Sequence, residues 1–99
     1  MRLSDCSAKL RPQKILNFAD CRIENVTNDS RAVHSGSLFC AIRGAKADGR
    51  RFAPAAEAAG AAAIVSDDPE LKTNLPHLVC ADAYRAWGLL CELAAGNPA

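Results

Sequence analysis

The amino-acid sequence predicts a single small α/β domain in three layers, with about four mostly buried strands and helices packed on the sheet. Short apolar runs alternate along the chain with stretches whose apolar residues recur at helical spacing, which is the pattern of a sheet covered by helices. The length of 99 residues fits one domain with one core. Abundant alanine would let the helices lie close to the sheet.

Four segments have the composition of short strands. Apolar and polar residues mix over residues 21–26, which predicts a short strand that ends at a polar loop. The continuous apolar run at 38–42 suits a strand buried on both faces, and we expect it to be central. Residues 61–65 and 75–80 predict the third and fourth strands, each bounded by a proline.

Three helices complete the prediction. We expect a short helix before Pro12 and a loop after it, because proline interrupts the helical spacing. A second helix begins within a few residues before Pro54 and closes at Gly60. The third starts at the N-cap Asp82 and is ended by Gly96 and Pro98. Its apolar stripe toward the core consists of Ala83, Ala86, Trp87, Leu90, Cys91 and Ala94.

Charge and hydropathy exclude several classes of protein. Twelve basic against eleven acidic residues give a net charge of +1, so we expect no nucleic-acid partner and no anionic membrane surface. No apolar run approaches the roughly 20 residues of a membrane span, and the start of the chain lacks the apolar stretch of a secretory signal. We therefore expect a cytoplasmic location.

The cysteine pattern argues against a metal site. The number is odd, and neither a CxxC pair nor a histidine at zinc-ligand spacing accompanies it. We expect three of the cysteines to act as small buried hydrophobes, with reactive-thiol chemistry as the minority alternative. These three are Cys40, Cys80 and Cys91.

Two polar loops, residues 27–31 and 44–49, leave predicted strands at the edge where α/β sheets usually bind ligands. The first loop offers hydroxyl, amide and carboxylate groups, and the second offers Lys46 and exposed backbone amides near glycine. Together they can hold an anionic, hydrogen-bonding ligand such as a nucleotide diphosphate. The alternative is that residues 27–30 only cap and turn the chain, and physical reasoning alone leaves the two interpretations even.

No catalytic centre is recognisable. His34 and His77 are far apart in sequence, and no serine or cysteine near either stands in a nucleophile motif. The chain also lacks a GxxxxGK[ST] loop, without which it cannot run ATP-dependent chemistry. The sequence therefore predicts a protein that binds rather than activates its ligand, with no catalytic residue, no metal and no cofactor of its own.

A set of spaced residues resembles the N-terminal domain of the E- and F-type Mur ligases. The shared pattern is T-x-D-S-R, a glycine, L-F-x-A, a glycine, D-G and an aromatic residue, then an alanine-rich helix that ends in G-A-x-A. The likeness extends from about residue 27 to residue 99, and the loop at 47–51 favours the E type. The matching positions are residues 27–31, Gly36, Leu38, Phe39, Ala41, Gly44, Asp48, Gly49, Phe52 and residues 60–63.

The resemblance implies a binding role. In that family this domain holds the uridine end of a UDP-MurNAc-peptide, while the second domain binds ATP and the third binds the incoming amino acid. By this likeness Asn28 and Ser30 lie against the uridine and its diphosphate, and Ala45, Lys46 and Ala47 contact the uracil edge. E-type members often carry histidine and glutamine at the positions of Ala45 and Lys46, so this chain departs from the family there.

The resemblance also implies a domain division, a substrate and an activity for the full-length enzyme. Residues 1–99 form the recognition domain, and the ATP-binding and C-terminal ligase domains that would be its partners are absent from this chain. The substrate is UDP-MurNAc-L-Ala-D-Glu, to which the full-length enzyme adds the third peptide residue with ATP and Mg²⁺. Two alternatives stay open, namely the F-type ligase that adds D-Ala-D-Ala and a stand-alone nucleotide-sugar binding or interaction module. A redox or hydrolytic enzyme is a distant third.

Overall fold

The computed structural model describes residues 1–42 and 49–95. Short 3₁₀ turns lie at Ser30–Ala32 and Gly49–Phe52. The helices and strands are α1 (Leu3–Leu10), β1 (Lys14–Leu16), β2 (Asn25–Thr27), β3 (Ser37–Cys40), α2 (Ala53–Ala58), β4 (Ala63–Ser66), β5 (His77–Val79) and α3 (Ala83–Ala94).

The strands form one mixed sheet in the order β1-β5-β4-β3-β2. Strands β2 to β5 are parallel, whereas β1 pairs with β5 in the antiparallel direction. Because parallel strands end at the same edge, the segments that follow β2 and β3 leave the sheet side by side. This arrangement places the two predicted binding loops next to each other at their points of departure.

Helices cover both faces of the sheet, which confirms the three-layer α/β prediction. Alternate residues of β3 point to opposite faces: Leu38 and Cys40 belong to the cluster that includes α1 and α3, whereas Phe39 belongs to the cluster that includes α2. The larger cluster buries residues such as Leu3 and Leu90 completely. Strand β3 is buried on both sides, as its continuous apolar run predicts.

The prediction of a loop after Pro12 is wrong, because Lys14–Leu16 forms a fifth strand at the edge of the sheet. Arg11 adopts a left-handed conformation with φ of 49°, which ends α1 and turns the chain toward β5. Gln13 N then donates to Val79 O at 2.7 Å. Pairing with β5, rather than any apolar alternation in the segment, makes this segment a strand.

The two later helices begin where the sequence predicts. Helix α2 follows the Gly49–Phe52 turn directly with Pro54 in its first turn, and Gly60 adopts a φ of 104° after its last residue. Asp82 caps α3 by accepting hydrogen bonds from Tyr84 N at 2.9 Å and Arg85 N at 3.2 Å. The predicted ends of α3, Gly96 and Pro98, lie outside the described residues.

The predicted stripe of α3 is right in part. Ala83, Ala86 and Leu90 are buried against the sheet, and Trp87 is half-buried beside them. Cys91 and Ala94 are exposed, so their assignment to the core is wrong. Half-buried Leu93 lies on the packed face instead, because the helix turns by about 100° per residue and this carries position 91 away from the sheet.

The five cysteines are free thiols in three environments: three are buried, Cys21 is half-buried, and Cys91 is exposed, contrary to its predicted role as a buried hydrophobe. Cys40 and Cys80 are buried as predicted, and Cys6 is buried as well. Burial raises the pKa of the Cys40 thiol to about 12 and the pKa values of the Cys6 and Cys80 thiols to about 11. These three side chains therefore stay protonated near neutral pH and pack as small hydrophobes.

Within residues 1–42 and 49–95, no helix has the length and apolar character needed to cross a membrane.

Candidate functional site

In the loop after β2, every second side chain forms hydrogen bonds within the loop. Thr27 Oγ1 accepts a hydrogen bond from Asp29 N at 3.1 Å, and its hydroxyl donates to Asp29 O at 3.3 Å. Asp29 Oδ1 accepts from Arg31 N at 2.9 Å and so caps the 3₁₀ turn that follows. The Arg31 guanidinium contacts both carboxylate oxygens of Asp29 at 3.2 Å. Thr27, Asp29 and Arg31 thus satisfy one another.

Charge within this trio is balanced. The Arg31 guanidinium, which donates hydrogen bonds to the carboxylate, holds the pKa of Asp29 below its ordinary value, and Asp29 in turn raises the pKa of Arg31. Both groups stay ionised near neutral pH. Because each charge has an opposite charge beside it, Arg31 brings little uncompensated positive charge to a ligand.

Asn28 and Ser30 take no part in this network. Asn28 is exposed and Ser30 is half-buried, and neither side chain has a hydrogen-bond partner within the described part of the chain. The two interpretations of the loop therefore divide by residue. Thr27 and Asp29 turn and cap the backbone, whereas Asn28 and Ser30 keep their donors and acceptors available to a ligand.

An open cleft of about 400 Å³ lies over this loop, within the volume range of small-molecule sites. Four consecutive residues, Asn28 to Arg31, line it together with Phe52. Phe52 belongs to the 3₁₀ turn that closes the segment after β3. The chain after β3 thus meets the chain after β2 at this cleft, as expected from the parallel order of the two strands.

A small apolar cluster holds the two sides of the cleft together. Val33 follows the Ser30–Ala32 turn directly and packs in the same buried cluster as Phe39 of β3 and Ala56 of α2. Ala53, the first residue of α2 and the neighbour of Phe52, is also buried. The cleft therefore has its polar loop on one side and the start of α2 on the other, both anchored to the sheet.

The predicted site residues fall into two groups. Asn28 and Ser30 lie in one cleft. Ala45, Lys46 and Ala47 lie outside the described residues, as do Gly44 and Asp48 of the family pattern. The cleft residue that sequence reasoning missed is Phe52, which the motif includes only as an aromatic position. An aromatic side chain at the end of a polar loop was the available signal.

Comparison with known proteins identifies the family. A sequence model described as "Mur ligase family, catalytic domain" matches residues 22–95. The chain belongs to the Mur ligase family. It corresponds to the N-terminal domain of those enzymes.

Relatives of this Mur ligase domain are mostly enzymes of one kind. It is 36% identical over 100 residues to the UDP-N-acetylmuramoyl-L-alanyl-D-glutamate–2,6-diaminopimelate ligase of Bacteroides fragilis, which covers 99% of this chain and 21% of the relative. The ligase of the same name from Geobacillus kaustophilus is 44% identical over 70 residues, covering 71% of this chain and 14% of the relative. The chain thus spans about a fifth or less of the length of these relatives.

Solved structures agree with the fold. MurF from Acinetobacter baumannii superposes with a TM-score of 0.75 at 23% identity, covering 88% of this chain and 19% of that protein. MurF ligase from Thermotoga maritima, solved in complex with ADP, gives a TM-score of 0.62 at 24% identity over 77% of this chain and 17% of its own. At these identities the likeness is one of fold.

A buried polar pair lies elsewhere in the Mur ligase domain. His77 Nε2 is 2.6 Å from Ser66 Oγ, the spacing of a nucleophile and its base. Ser66 Oγ also lies 3.2 Å from Asp68 O and accepts a hydrogen bond from Asp68 N at 3.1 Å. Both side chains are fully buried, and within residues 1–42 and 49–95 His77 Nδ1 has no hydrogen-bond partner. Their burial gives the hydrolytic alternative no support.

A second open cleft, of about 300 Å³, lies between the end of α1 and the start of α3. Its polar lining includes Arg11, Gln13 and Arg85, with the thiol-bearing Cys80 at its base. The Asp82 carboxylate that borders it is already engaged in capping α3. We favour the cleft at Asn28 and Ser30 as the functional site, because residues of the family pattern line it, namely 29–31 and Phe52.

Proposed function

We propose that this domain binds the uridine-diphosphate end of UDP-MurNAc-L-Ala-D-Glu, as the first domain of an ATP-dependent ligase that forms an amide bond. The ligase adds the third residue to the peptide of the peptidoglycan precursor in the cytoplasm. The observation that carries the proposal is that Asn28 and Ser30, whose side chains have no hydrogen-bond partner among the described residues, line one open cleft with Phe52. Membership in the Mur ligase family supports it.

The chemistry of the two side chains suits a uridine nucleotide. The Asn28 amide both donates and accepts hydrogen bonds, and the Ser30 hydroxyl does the same, so together they can pair with a pyrimidine edge, a ribose hydroxyl or a phosphate oxygen. Arg31 is neutralised by Asp29 and contributes little to the charge balance of a diphosphate. The resemblance implies that Ala45, Lys46 and Ala47 contact the uracil edge, and we propose that the positive charge of Lys46 also faces the diphosphate.

The proposed contribution of the domain to the reaction is positioning. Anchoring the nucleotide fixes the far end of the substrate while the peptide carboxylate reacts elsewhere in the enzyme, and such remote binding chiefly lowers KM. ATP supplies the phosphoryl group that activates the carboxylate in such ligases. The residues present do not fit ATP or Mg²⁺: the 99 residues contain no GxxxxGK[ST] loop, and the described ranges contain no group of three side chains placed to hold a metal ion.

The E-type assignment rests on the relatives. The enzymes that match 99% of this chain at 32–36% identity include several named for the addition of 2,6-diaminopimelate to the L-alanyl-D-glutamate form. The F-type structures match at 23–24% identity and speak to the fold alone. The loop at 47–51 also favours the E type. We therefore propose the dipeptide form as substrate, with the F-type ligase as the alternative.

An NMR titration of the 99-residue chain with UDP tests the binding role. We expect amide shifts concentrated at residues 27–31 and 44–49. Asn28→Ala and Ser30→Ala should each weaken UDP binding by about 2- to 12-fold, the range that corresponds to one lost hydrogen bond. The matched controls Asn74→Ala and Ser35→Ala remove the same groups at exposed positions away from the cleft and should leave the Kd unchanged. Shifts confined to other regions, or none at millimolar UDP, would refute the proposal.

A further inference from the structure

Phe52 is an apolar ring in an otherwise polar cleft. Phe52 is 42% exposed, whereas Phe39 of β3 is completely buried. Apolar surface is less favourable in water than when it is covered, so the fold gains nothing from leaving this ring exposed. An occupant of the cleft that covers the ring would recover that free energy.

The surroundings of the ring indicate which chemistry covers it. The face of an aromatic ring carries partial negative charge, so it repels a phosphate and attracts a flat, polarised ring. Asn28 and Ser30, which line the same cleft, offer hydrogen bonds to the edge of such a ring. A planar heterocycle with polar edges satisfies both requirements, whereas an aliphatic or purely anionic group satisfies only one.

We propose that the Phe52 ring is the surface on which the uracil base of the bound nucleotide stacks. This inference rests on the proposed binding of a uridine nucleotide, and it assigns the base and not the diphosphate to the Phe52 side of the cleft. Stacking supplies affinity without reading the base, because every base has a π-face, and the hydrogen-bonding side chains supply the selectivity. The backbone of Phe52 is positioned by α2, which begins at the buried Ala53.

The test compares two exposed phenylalanines. Phe52→Leu removes the aromatic face of the cleft, and Phe18→Leu makes the same change at a 47% exposed ring that does not line the cleft. Phe52→Tyr keeps an aromatic face. Binding of UDP and of inorganic pyrophosphate is measured for each variant of the 99-residue chain, together with the proton shifts of the uracil H5 and H6 atoms, which move upfield when a base stacks on an aromatic ring. Thermal melts followed by circular dichroism establish that each variant is folded.

We expect Phe52→Leu to raise the Kd for UDP by roughly 5- to 150-fold, the range of one base–aromatic stack, and to abolish the upfield shift. Pyrophosphate binding should not change, and Phe18→Leu and Phe52→Tyr should behave as the unmodified chain. If Phe52→Leu binds UDP with the original Kd and the uracil shifts persist, stacking on Phe52 is refuted while the proposed function stands. If the unmodified chain binds no UDP, the proposed function fails first and this inference fails with it.

Discussion

The loop after β2 and the Ser66–His77 pair are both polar clusters at strand ends, but their unsatisfied groups have opposite consequences. In the loop, Asn28 and Ser30 have no side-chain partner among the described residues and lie where water satisfies them at little cost. In the pair, His77 Nδ1 is buried with no partner in the described ranges, and water does not replace one. The surface groups are available to a ligand, whereas the buried nitrogen only limits the stability of the fold.

The difference shows which unsatisfied polar groups point to function. A polar group without a protein partner at the surface costs the fold almost nothing, because water bonds to it. Such a group stays available for a hydrogen bond to a ligand. A polar group without a partner in the core costs on the order of 1–3 kcal/mol of folding free energy. A ligand cannot reach such a group. Exposure, rather than the missing hydrogen bond itself, is therefore the property by which we distinguish the proposed binding residues from His77. The following changes test that separation.

The largest effect is expected for His77→Ala. The substitution empties a fully buried position and removes the partner of Ser66 Oγ, so the free energy of unfolding should fall by about 2–4 kcal/mol. Urea denaturation measures the loss. The control His34→Ala changes an exposed histidine and should shift the free energy of unfolding by less than about 0.5 kcal/mol. Equal effects at both positions would contradict the structural role of His77.

A smaller effect is expected for Thr27→Val, which keeps the shape of the side chain. The buried hydroxyl is the acceptor for Asp29 N, so its removal should lower the free energy of unfolding by about 1–2 kcal/mol. Because the loop backbone loses its anchor, UDP binding should weaken as well, although Thr27 does not line the cleft. Denaturation and titration on the same sample separate the two losses. The matched variant Thr73→Val, in a loop remote from the cleft, should preserve the Kd.

The pH dependence of stability reports on the buried pair. Burial lowers the pKa of His77 below its ordinary value of 6.5, with Asp68 opposing the shift. The unfolded chain therefore binds a proton at a higher pH than the folded chain does, and stability is lost as the pH falls below about 6.5. The contribution of one histidine to the slope is at most about 1.4 kcal/mol per pH unit. His77→Phe should flatten this slope in urea melts between pH 7.5 and 5, and an unchanged slope would assign the dependence to other groups.

The smallest effect is expected for the two free side chains. Asn28→Ala and Ser30→Ala should change the free energy of unfolding by less than about 0.5 kcal/mol, because no described hydrogen bond of the fold is lost. The same variants should weaken UDP binding, so stability and affinity diverge at these positions. A loss of stability above about 1 kcal/mol at either position would show that the fold uses the side chain.

Much of the fold was predictable because burial leaves a pattern in the sequence. The apolar runs of β3 and β4 identify strands buried on both faces, and Asp82 identifies the start of α3. Strand β1 was not predictable, because two of its three residues are exposed and only its pairing with β5 defines it. The error at Cys91 arises because a helix with alanine and leucine on several sides fixes its phase poorly until the sheet is present.

The candidate site was predictable as a region and not as individual roles. The family pattern points to residues 27–31, but the sequence does not reveal which hydroxyls and carboxylates bond to the backbone, because that choice depends on the local dihedral angles. The Ser66–His77 bond joins residues eleven positions apart and follows from the pairing of β4 with β5. The place of Phe52 in the cleft could not be predicted, because it depends on where the start of α2 lies relative to the loop.

Residues with a structural role alternate within residues 27–31 with residues that are proposed to contact the ligand. Thr27, Asp29 and Arg31 keep the backbone in shape through bonds among themselves, so they can persist while the ligand changes. Asn28 and Ser30, the proposed ligand contacts, take part in none of these bonds, so we expect mutation at these two sites to change recognition without refolding the loop. A new specificity for this scaffold is therefore best sought in a two-position library rather than by replacing the whole segment.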